Sequence, residues 1–338
     1  MLRQVEGGQS FKGAFLQAGM AISSERGKGG GKSGLRFLRR GKVKEIYEVS
    51  DDVLEFRFTD DVSVFDKKIP NIIPYKGESL ARTSAHWFKM CDRLGIRHHF
   101  IELIDANRMR VKRVEVEPEM KGREKKKVLI PLEFIARYYV AGTLWDRLRK
   151  GKVSPQELGF SSGHTVTYGE MLPSPLFEMT TKLEHVDRLL NEKQAMEIGG
   201  MSREQVSKLQ EMTLRIDQGI SKSIEPRGLI HVDGKKEFAF DAEGELMIVD
   251  TFGTGDEDRF WDRKEMERGR FEDFSKEFVR QFYRKSGYFD QLISAREGGK
   301  EEPQIPALPP TMVEEVSRMY TTIYERLTGE PFRTFTSH

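Results

Sequence analysis

Between His231 and Trp261 the chain reads HVDGKKEFAFDAEGELMIVDTFGTGDEDRFW, the pattern of a β-hairpin with its charges gathered on one side. Phe238 and Phe240 alternate with Glu237, Ala239 and Asp241, Glu243-Gly244 supplies turn chemistry, and Leu246 to Val249 forms a returning strand. A loop of about two or four residues centred on Glu243-Gly244 opposes Asp241 to Leu246, Ala239 to Ile248 and Glu237 to Asp250. Period-two geometry then sets Asp233, Lys235, Glu237 and Asp250 on one face, and Lys236, Phe238, Phe240, Met247 and Val249 on the other. Carboxylates directly opposed across strands repel, so a cation is expected between Glu237 and Asp250. Magnesium suits this pair, because it commonly takes one or two protein carboxylates and completes its shell with water and phosphate oxygens; Lys235 is placed to neutralise transferring phosphoryl oxygens. The competing reading is a solvated acidic hairpin, since a one-residue slip of register separates the pair.

A second group of cations opens the ordered part of the chain. Arg40 to Val49 and Val53 to Phe58 alternate as a hairpin around Asp51-Asp52. Lys42 and Lys44 share a face, and Gly41 permits close backbone approach, which suits a strand lying over nucleotide phosphates; the alternative is the solvated face of an edge strand. Asp60 to Asp66 and Ile73 to Gly77 read as polar loops, followed by a helix over Leu80 to Leu94. Val128 to Val140 is an apolar strand segment carrying Arg137, and Gly142-Thr143 leads into a short helix ending near Gly151. Glu192 to Ile224 has helical periodicity, with Ile198, Val206, Leu209, Met212, Leu214, Ile216 and Ile220 as a core-facing stripe. Two helices, Phe271 to Ser286 and Thr311 to Thr328, close the chain on either side of the Pro-rich stretch Pro303 to Pro310.

Composition bounds the remaining possibilities. At 338 residues there is room for roughly two domains with substantial cores. The 56 basic and 54 acidic residues leave a net charge of +2, which supplies no field for nucleic acid and points to a small, locally bound ligand. Cys91 has no partner for an internal disulfide, so a reducing cytoplasm is the expected compartment, and no apolar run approaches membrane-spanning length. Met1 to Gly34 is Gly-rich, Ser-rich and basic and reads as a poorly ordered arm. Its Gly31-Lys32-Ser33 imitates the end of a phosphate-binding loop, but Arg26 stands where that motif requires its first glycine.

The order of these segments resembles the phosphoribosylaminoimidazole-succinocarboxamide synthase (SAICAR synthetase) family of purine biosynthesis, from Leu35 to about Phe332. Gly41 to Tyr47 is similar to the family's opening strand; Thr59-Asp60 with Ser63, Phe65 and Asp66 resembles TDR-x-SAFD, and Ile73 to Gly77 resembles IPxKG. Arg137, Gly142 and Thr143 resemble R-x-x-x-x-GS, and Thr181-Lys182 with His185 and Asp187 resembles STK followed by HD. Asp233, Lys235 and Glu237 match DTKFEFG, while Asp250, Thr254, Asp256, Arg259, Phe260 and Trp261 resemble DE-x-x-TPDSSRFW.

The resemblance implies an α+β fold with a β-rich N-terminal nucleotide-binding lobe over residues 35–127, a larger C-terminal lobe over 128–338, and ATP in the cleft between them. It implies that Lys42 and Lys44 contact ATP phosphates, that Glu237 and Asp250 hold Mg2+, and that Lys182, Asp187, Asp233 and Lys235 form the reacting centre. Ser63, Asp66 and Lys76 would join the substrate site, with Arg137, Thr143 and Arg259 holding the ribotide, chiefly its phosphate. The implied partners are ATP, L-aspartate and carboxyaminoimidazole ribotide, with neither nucleic acid nor membrane and with a homo-oligomer allowed. The implied reaction is ATP-driven amide formation: phosphorylation turns a carboxylate into an acyl phosphate that the aspartate amine displaces. The alternatives are a small-molecule kinase of the related inositol polyphosphate kinase-like fold and a nucleotide-binding regulator without turnover.

Several positions depart from the family pattern and look like a longer, archaeal branch. Asp61 stands where arginine is common, Thr251 replaces the second acid of DE, Gly255 replaces proline, and Glu257-Asp258 replaces a serine pair. Two added negative charges beside Arg259 are expected to disturb phosphate binding there.

Overall fold

β-Branched and aromatic residues at alternating positions carry the start of the described chain into strands. The computed structural model describes residues 35–118, 120, 122, 124–184 and 187–332. The Met1 to Gly34 arm, with its Gly31-Lys32-Ser33, and His185 of the family motif lie outside the described residues.

The first antiparallel sheet uses β1 (Arg36–Arg40), β2 (Lys44–Ser50) and β3 (Val53–Phe58). The polar segments expected to be loops instead form a hairpin of β4 (Asp61–Val64) and β5 (Lys67–Ile72), its tip Phe65-Asp66 in left-handed backbone. Helix α1 (Lys76–Leu94) follows, then β6 (Phe100–Asp105) and β7 (Arg108–Lys112), which complete the sheet in the order β1-β2-β3-β7-β6.

The expected strand Val128 to Val140 is divided into β8 (Val128–Leu129) and β9 (Leu132–Tyr139). Pro131 lies at the break, where its missing N–H cannot serve a continuous ladder. After α2 (Gly142–Arg149) come β10 (Met171–Thr181) and β11 (Leu189–Leu190). The helical stretch is also divided, into α3 (Glu192–Gly199) and α4 (Arg203–Ile224). Gly200 ends α3 in left-handed backbone, and Ser202 and Gln205 form a reciprocal capping box that starts α4, so local chemistry overrides the continuous periodicity.

Strand β12 (Leu229–Phe240) is the spine of the second sheet. It pairs with β9, with β13 (Leu246–Val249) and β14 (Asp258–Asp262), and at its end with β8, giving the order β11-β10-β9-β12-β13 with β8 and β14 also on β12. The chain continues through α5 (Arg263–Glu267), α6 (Glu277–Lys285), α7 (Tyr288–Glu297) and α8 (Pro310–Thr328). Helix α7 is additional to the two terminal helices expected from periodicity. The main core gathers Phe238, Phe240, Leu246 and Ile248 with α1, α4 and α8 residues such as Trp87, Ile216 and Tyr320. Among the described residues, no helix is long and apolar enough to cross a membrane.

The β12–β13 register corrects the expected one. Glu237 faces Val249, Phe238 faces Ile248, Ala239 faces Met247 and Phe240 faces Leu246. The Asp241 N–H donates to the Glu245 carbonyl at 2.9 Å, leaving Ala242, Glu243 and Gly244 as the loop, with Gly244 at φ 82°. An odd loop closed by a left-handed glycine shifts every pair by one. Met247 and Val249 consequently pack with Ala239 and Leu129, while Phe238 and Phe240 occupy the opposite face with Leu246 and Ile248.

Gly244→Ala should lower stability by about 1 kcal/mol, because alanine pays a steric penalty in left-handed backbone. A lowered denaturation midpoint with unchanged substrate KM values is the expected outcome; an unchanged midpoint contradicts this account of the register.

Candidate active site

Alternation along three neighbouring strands builds one polar sheet face. Register aligns Arg137 of β9 with Asp233 of β12, and pairs Glu133 of β9 with Thr180 of β10. Asp233, Lys235 and Glu237 from β12 therefore share a face with Glu133 and Arg137 from β9 and Glu178 from β10. The Lys235 ammonium reaches Glu133 at 2.7 Å, Glu257 at 3.1 Å and Glu237 at 3.7 Å. Burial works against its charge, but Glu257, Glu133 and Glu237 outweigh burial and hold its pKa far above the ordinary lysine value.

Lys182, immediately after β10, pairs with Glu237 at 2.5 Å. Asp250 is not opposite Glu237 in the ladder, yet it joins the same site by leaving the strand: its backbone is left-handed, at φ 61°. Such a conformation is strained for a non-glycine residue and concentrates at functional sites. Asp250 is ion-paired with Lys44 of β2 and interacts electrostatically with Lys182. Burial and the neighbouring Asp250 raise the Glu237 pKa, offset in part by Lys182 and Lys235. Burial opposes the charge of Asp250, but Lys44 and Lys182 hold it strongly acidic. Asp187 lies exposed at the rim, within electrostatic range of Lys235, Lys42 and Lys182.

A second cluster lies further along the face. Arg137 donates to Glu178 at 2.7 Å, Asp233 at 3.1 Å and the Thr143 hydroxyl at 3.0 Å. Arg259 donates to Asp233 at 2.6 Å, Asp273 at 3.0 Å and Glu277 at 3.4 Å. Asp233, expected at the reacting centre, accepts from both arginines and bridges them. Gly142 suits this place: its backbone is left-handed at φ 52°, and a Cβ on it would stand 2.7 Å from the Arg259 guanidinium, which would have to shift.

The expected disturbance of Arg259 by Glu257 and Asp258 is also corrected. Successive strand residues point to opposite faces, and Asp258 faces Gly234 while Arg259 faces Asp233. Asp258 accepts from His231 at 2.7 Å, Lys236 at 3.0 Å and the Gly253 N–H at 3.0 Å, all on the far side of β12. Glu257 pairs with Lys235 instead. A Cβ on Gly234 would fall 2.2 Å from an Asp258 oxygen, which accounts for glycine between Asp233 and Lys235. Asp217, His231 and Asp258 have the spacing of a metal triad, but Lys236 is ion-paired with both carboxylates and takes the cationic position.

The remaining expected residues divide between the groove and the core. Lys42, Ser63 and Asp66 line an open groove of about 590 Å³ with Arg40, Gly41, Asp61 and Lys68, and Lys42 pairs with Asp66 at 2.5 Å. Lys76 is corrected: its fully buried side chain pairs with Asp256 at 2.9 Å, and Asp256 also accepts from the Tyr320 hydroxyl at 2.5 Å. It ties α1 to the segment after Asp250 and presents no charge to a ligand. Sequence reasoning missed Glu133, Glu178, Asp273 and Glu277. A carboxylate at alternating distance from Arg137 inside an apolar strand was the available signal for Glu133; Asp273 and Glu277 are brought to Arg259 by tertiary packing alone.

The SAICAR synthetase family model matches residues 37–294. The phosphoribosylaminoimidazole-succinocarboxamide synthase of Thermoplasma volcanium is 51% identical over 296 residues, covering 88% of this chain and 99% of that protein. That of Nitrosopumilus maritimus is 31% identical over 297 residues, with the same coverage. Among solved structures, a SAICAR synthetase in complex with ADP is 27% identical, with a TM-score of 0.63 over 87% of this chain and 99% of that one. The Saccharomyces cerevisiae SAICAR synthase complexed with SAICAR is 25% identical, with a TM-score of 0.65 over 88% and 96%.

His99 places its Nε2 3.3 Å from the Asp250 carbonyl, and burial lowers its pKa to about 3. Its folded pKa lies below the ordinary histidine value of about 6.5, so the unfolded chain binds the proton and stability falls as pH drops below that value. The thermal midpoint should therefore fall less between about pH 7 and 5 in His99→Gln than in the wild type; identical slopes would refute the buried neutral imidazole.

Proposed function

The chain belongs to the SAICAR synthetase family, and on that premise we propose a residue-level account of an ATP-dependent ligase of purine biosynthesis. The enzyme joins L-aspartate to carboxyaminoimidazole ribotide, giving the succinocarboxamide, ADP and phosphate. The observation that carries the assignment of roles is the convergence of Lys44, Lys182 and Lys235 on Glu237 and Asp250. A module that only binds nucleotide needs cations for phosphate and carboxylates for a metal, but not the further lysines Lys182 and Lys235 gathered on the metal pair.

ATP is proposed to lie between a β-rich lobe of residues 35–127 and a larger lobe of 128–338, with Lys42 and Lys44 on its phosphates. Glu237 and Asp250 fit a Mg2+ ion: both offer hard oxygen donors, they interact as like charges, and the lysines around them already supply positive charge in its absence. When bound, the ion screens the phosphate oxygens from the attacking carboxylate. Lys182 and Lys235 then neutralise the charge that develops as the ribotide carboxylate attacks the terminal phosphorus, and Asp187 stands at the rim where the aspartate amine arrives. Arg137, Thr143 and Arg259 hold the ribotide phosphate, and Ser63 and Asp66 join the substrate site from the groove that they line with Lys42. Asp233 fixes the two guanidiniums at one carboxylate, so their remaining donors are pre-oriented before the ligand binds. The lone buried Cys91 accords with a reducing cytoplasm as the compartment.

Glu237→Gln and Asp250→Asn should each lower kcat by roughly a hundredfold or more; the thermal midpoint should shift little in Glu237→Gln, where burial and Asp250 already disfavour the charge, and fall in Asp250→Asn, which removes the carboxylate that Lys44 pairs with. Unchanged activity of both variants at limiting magnesium would remove them from the metal site.

The acyl phosphate places a demand on oxygen. Ribotide labelled with oxygen-18 in its carboxylate, incubated with ATP, magnesium and aspartate, must deliver one labelled oxygen to the released phosphate. Labelled phosphate formed together with the succinocarboxamide is the expected result by mass spectrometry. A stable phosphorylated product formed equally well without aspartate would overturn the ligase reading.

A further inference from the structure

Asp61 is a departure from the family pattern that lines the groove together with Lys42, and its surroundings give it a task. Only 2% of its side chain is exposed, and it accepts from Arg40 at 2.8 Å, Lys68 at 2.7 Å and the Thr59 hydroxyl at 3.1 Å. Burial opposes its ionisation, but Lys68, Arg40 and Thr59 keep it more acidic than usual.

These partners come from two different elements. Lys68 belongs to the β4–β5 hairpin that carries Asp61, whereas Arg40 is the last residue of β1 and directly precedes the Gly41-Lys42-Val43 turn. That turn is closed by the Gly41 N–H donating to the Lys44 carbonyl at 2.8 Å, and it is held from below by the Thr59 N–H on the Val43 carbonyl at 2.9 Å. The turn faces the β4–β5 hairpin across the groove, and two ion pairs cross it. At the tip, Lys42 meets Asp66 with both side chains more than half exposed, at 65% and 53%. At the base, Arg40 meets the buried Asp61.

The two crossings differ in what can displace them. An exposed pair in water is worth little, so an arriving phosphate can take Lys42 from Asp66. The base pair shields one partner from solvent and is geometrically constrained by three donors, so it persists. We propose that Asp61, gripped by Arg40 and Lys68, is a positioning residue for the nucleotide: the Arg40–Asp61 clasp anchors the glycine turn while Lys42 exchanges from Asp66 to the phosphates. Asp61 and Arg40 act through Lys42 and Gly41 and touch no reacting atom. This inference rests on the nucleotide site proposed above.

The arrangement separates positioning from folding. In Arg40→Gln the buried carboxylate keeps Lys68 and Thr59, so no unpaired charge is left behind and the fold is retained. Asp61→Asn preserves the shape. Each single variant should raise the KM for ATP roughly tenfold at nearly constant kcat, and the double variant should be no worse than the weaker single one, because both remove the same tie. KM values for ribotide and aspartate should stay at wild-type levels, and Arg40→Lys should restore part of the ATP affinity. The clasp is overturned if both singles keep the wild-type KM for ATP, if the two effects multiply in the double variant, or if all three substrates lose affinity together with the thermal midpoint. ADP titrated calorimetrically into the same four proteins requires no turnover. Weakened ADP binding in the singles therefore supports the clasp even where the oxygen-18 experiment rejects the ligase, and equal ADP affinity in wild type and singles rejects the clasp while leaving the ligase standing.

Discussion

Charge buried on both faces of one strand is the constraint around which the molecule is arranged. Strand β12 passes through the middle of its sheet carrying Lys235 on one side and the fully buried Lys236 on the other. An uncompensated buried ammonium would cost several kcal/mol, so each face must bring its own carboxylates. On the far side these are Asp217 and Asp258, from α4 and β14. On the near side they are Glu133, Glu237 and Glu257. The far set is fully buried and fixes the strand; in the near set Lys235 and Glu257 keep part of their side chains exposed.

This division explains how the same residue types serve different ends. Lys236, Asp258 and His231 have the composition of a catalytic or metal cluster, but they satisfy one another in the core. Lys182, Lys235 and Asp250 remain partly exposed around the buried Glu237. Their attractions and repulsions are mixed, since Glu237 experiences Asp250 as well as the lysines. A site of this kind is held together by cations that incoming ligands can supplement or replace.

The arginine cluster follows a related rule at a different scale. Arg137 and Arg259 converge because Asp233 accepts from both, and because Gly142 leaves room for the Arg259 guanidinium. This arginine pair is thus fixed by carboxylates before any anion arrives. At the Gly41-Lys42 turn the balance is looser: Lys42 and Asp66 are both exposed, and the turn is secured at its base instead.

The sequence by itself determined the α+β composition and the placement of Asp233, Lys235 and Glu237 on one face of a strand, because period-two alternation is a local property legible in a strand such as β12. It also signalled the strand over Leu132 to Tyr139 and the long helices α1, α4 and α8. The register of the hairpin was decided by Gly244, whose left-handed turn adds one residue to the loop, and a difference of one residue is invisible to an alternating pattern that fits either choice. Asp250 was singled out for a cross-strand opposition to Glu237 that does not exist; it leaves the ladder in left-handed backbone and still acts on Glu237 as a like charge. The fates of Asp233, Lys76 and Asp258 were likewise tertiary decisions. A carboxylate or ammonium has the same identity in a bridge, a core tie or an open site, and only the partners delivered by distant elements, Arg259 for Asp233, Asp256 for Lys76 and Lys236 for Asp258, determine which it becomes.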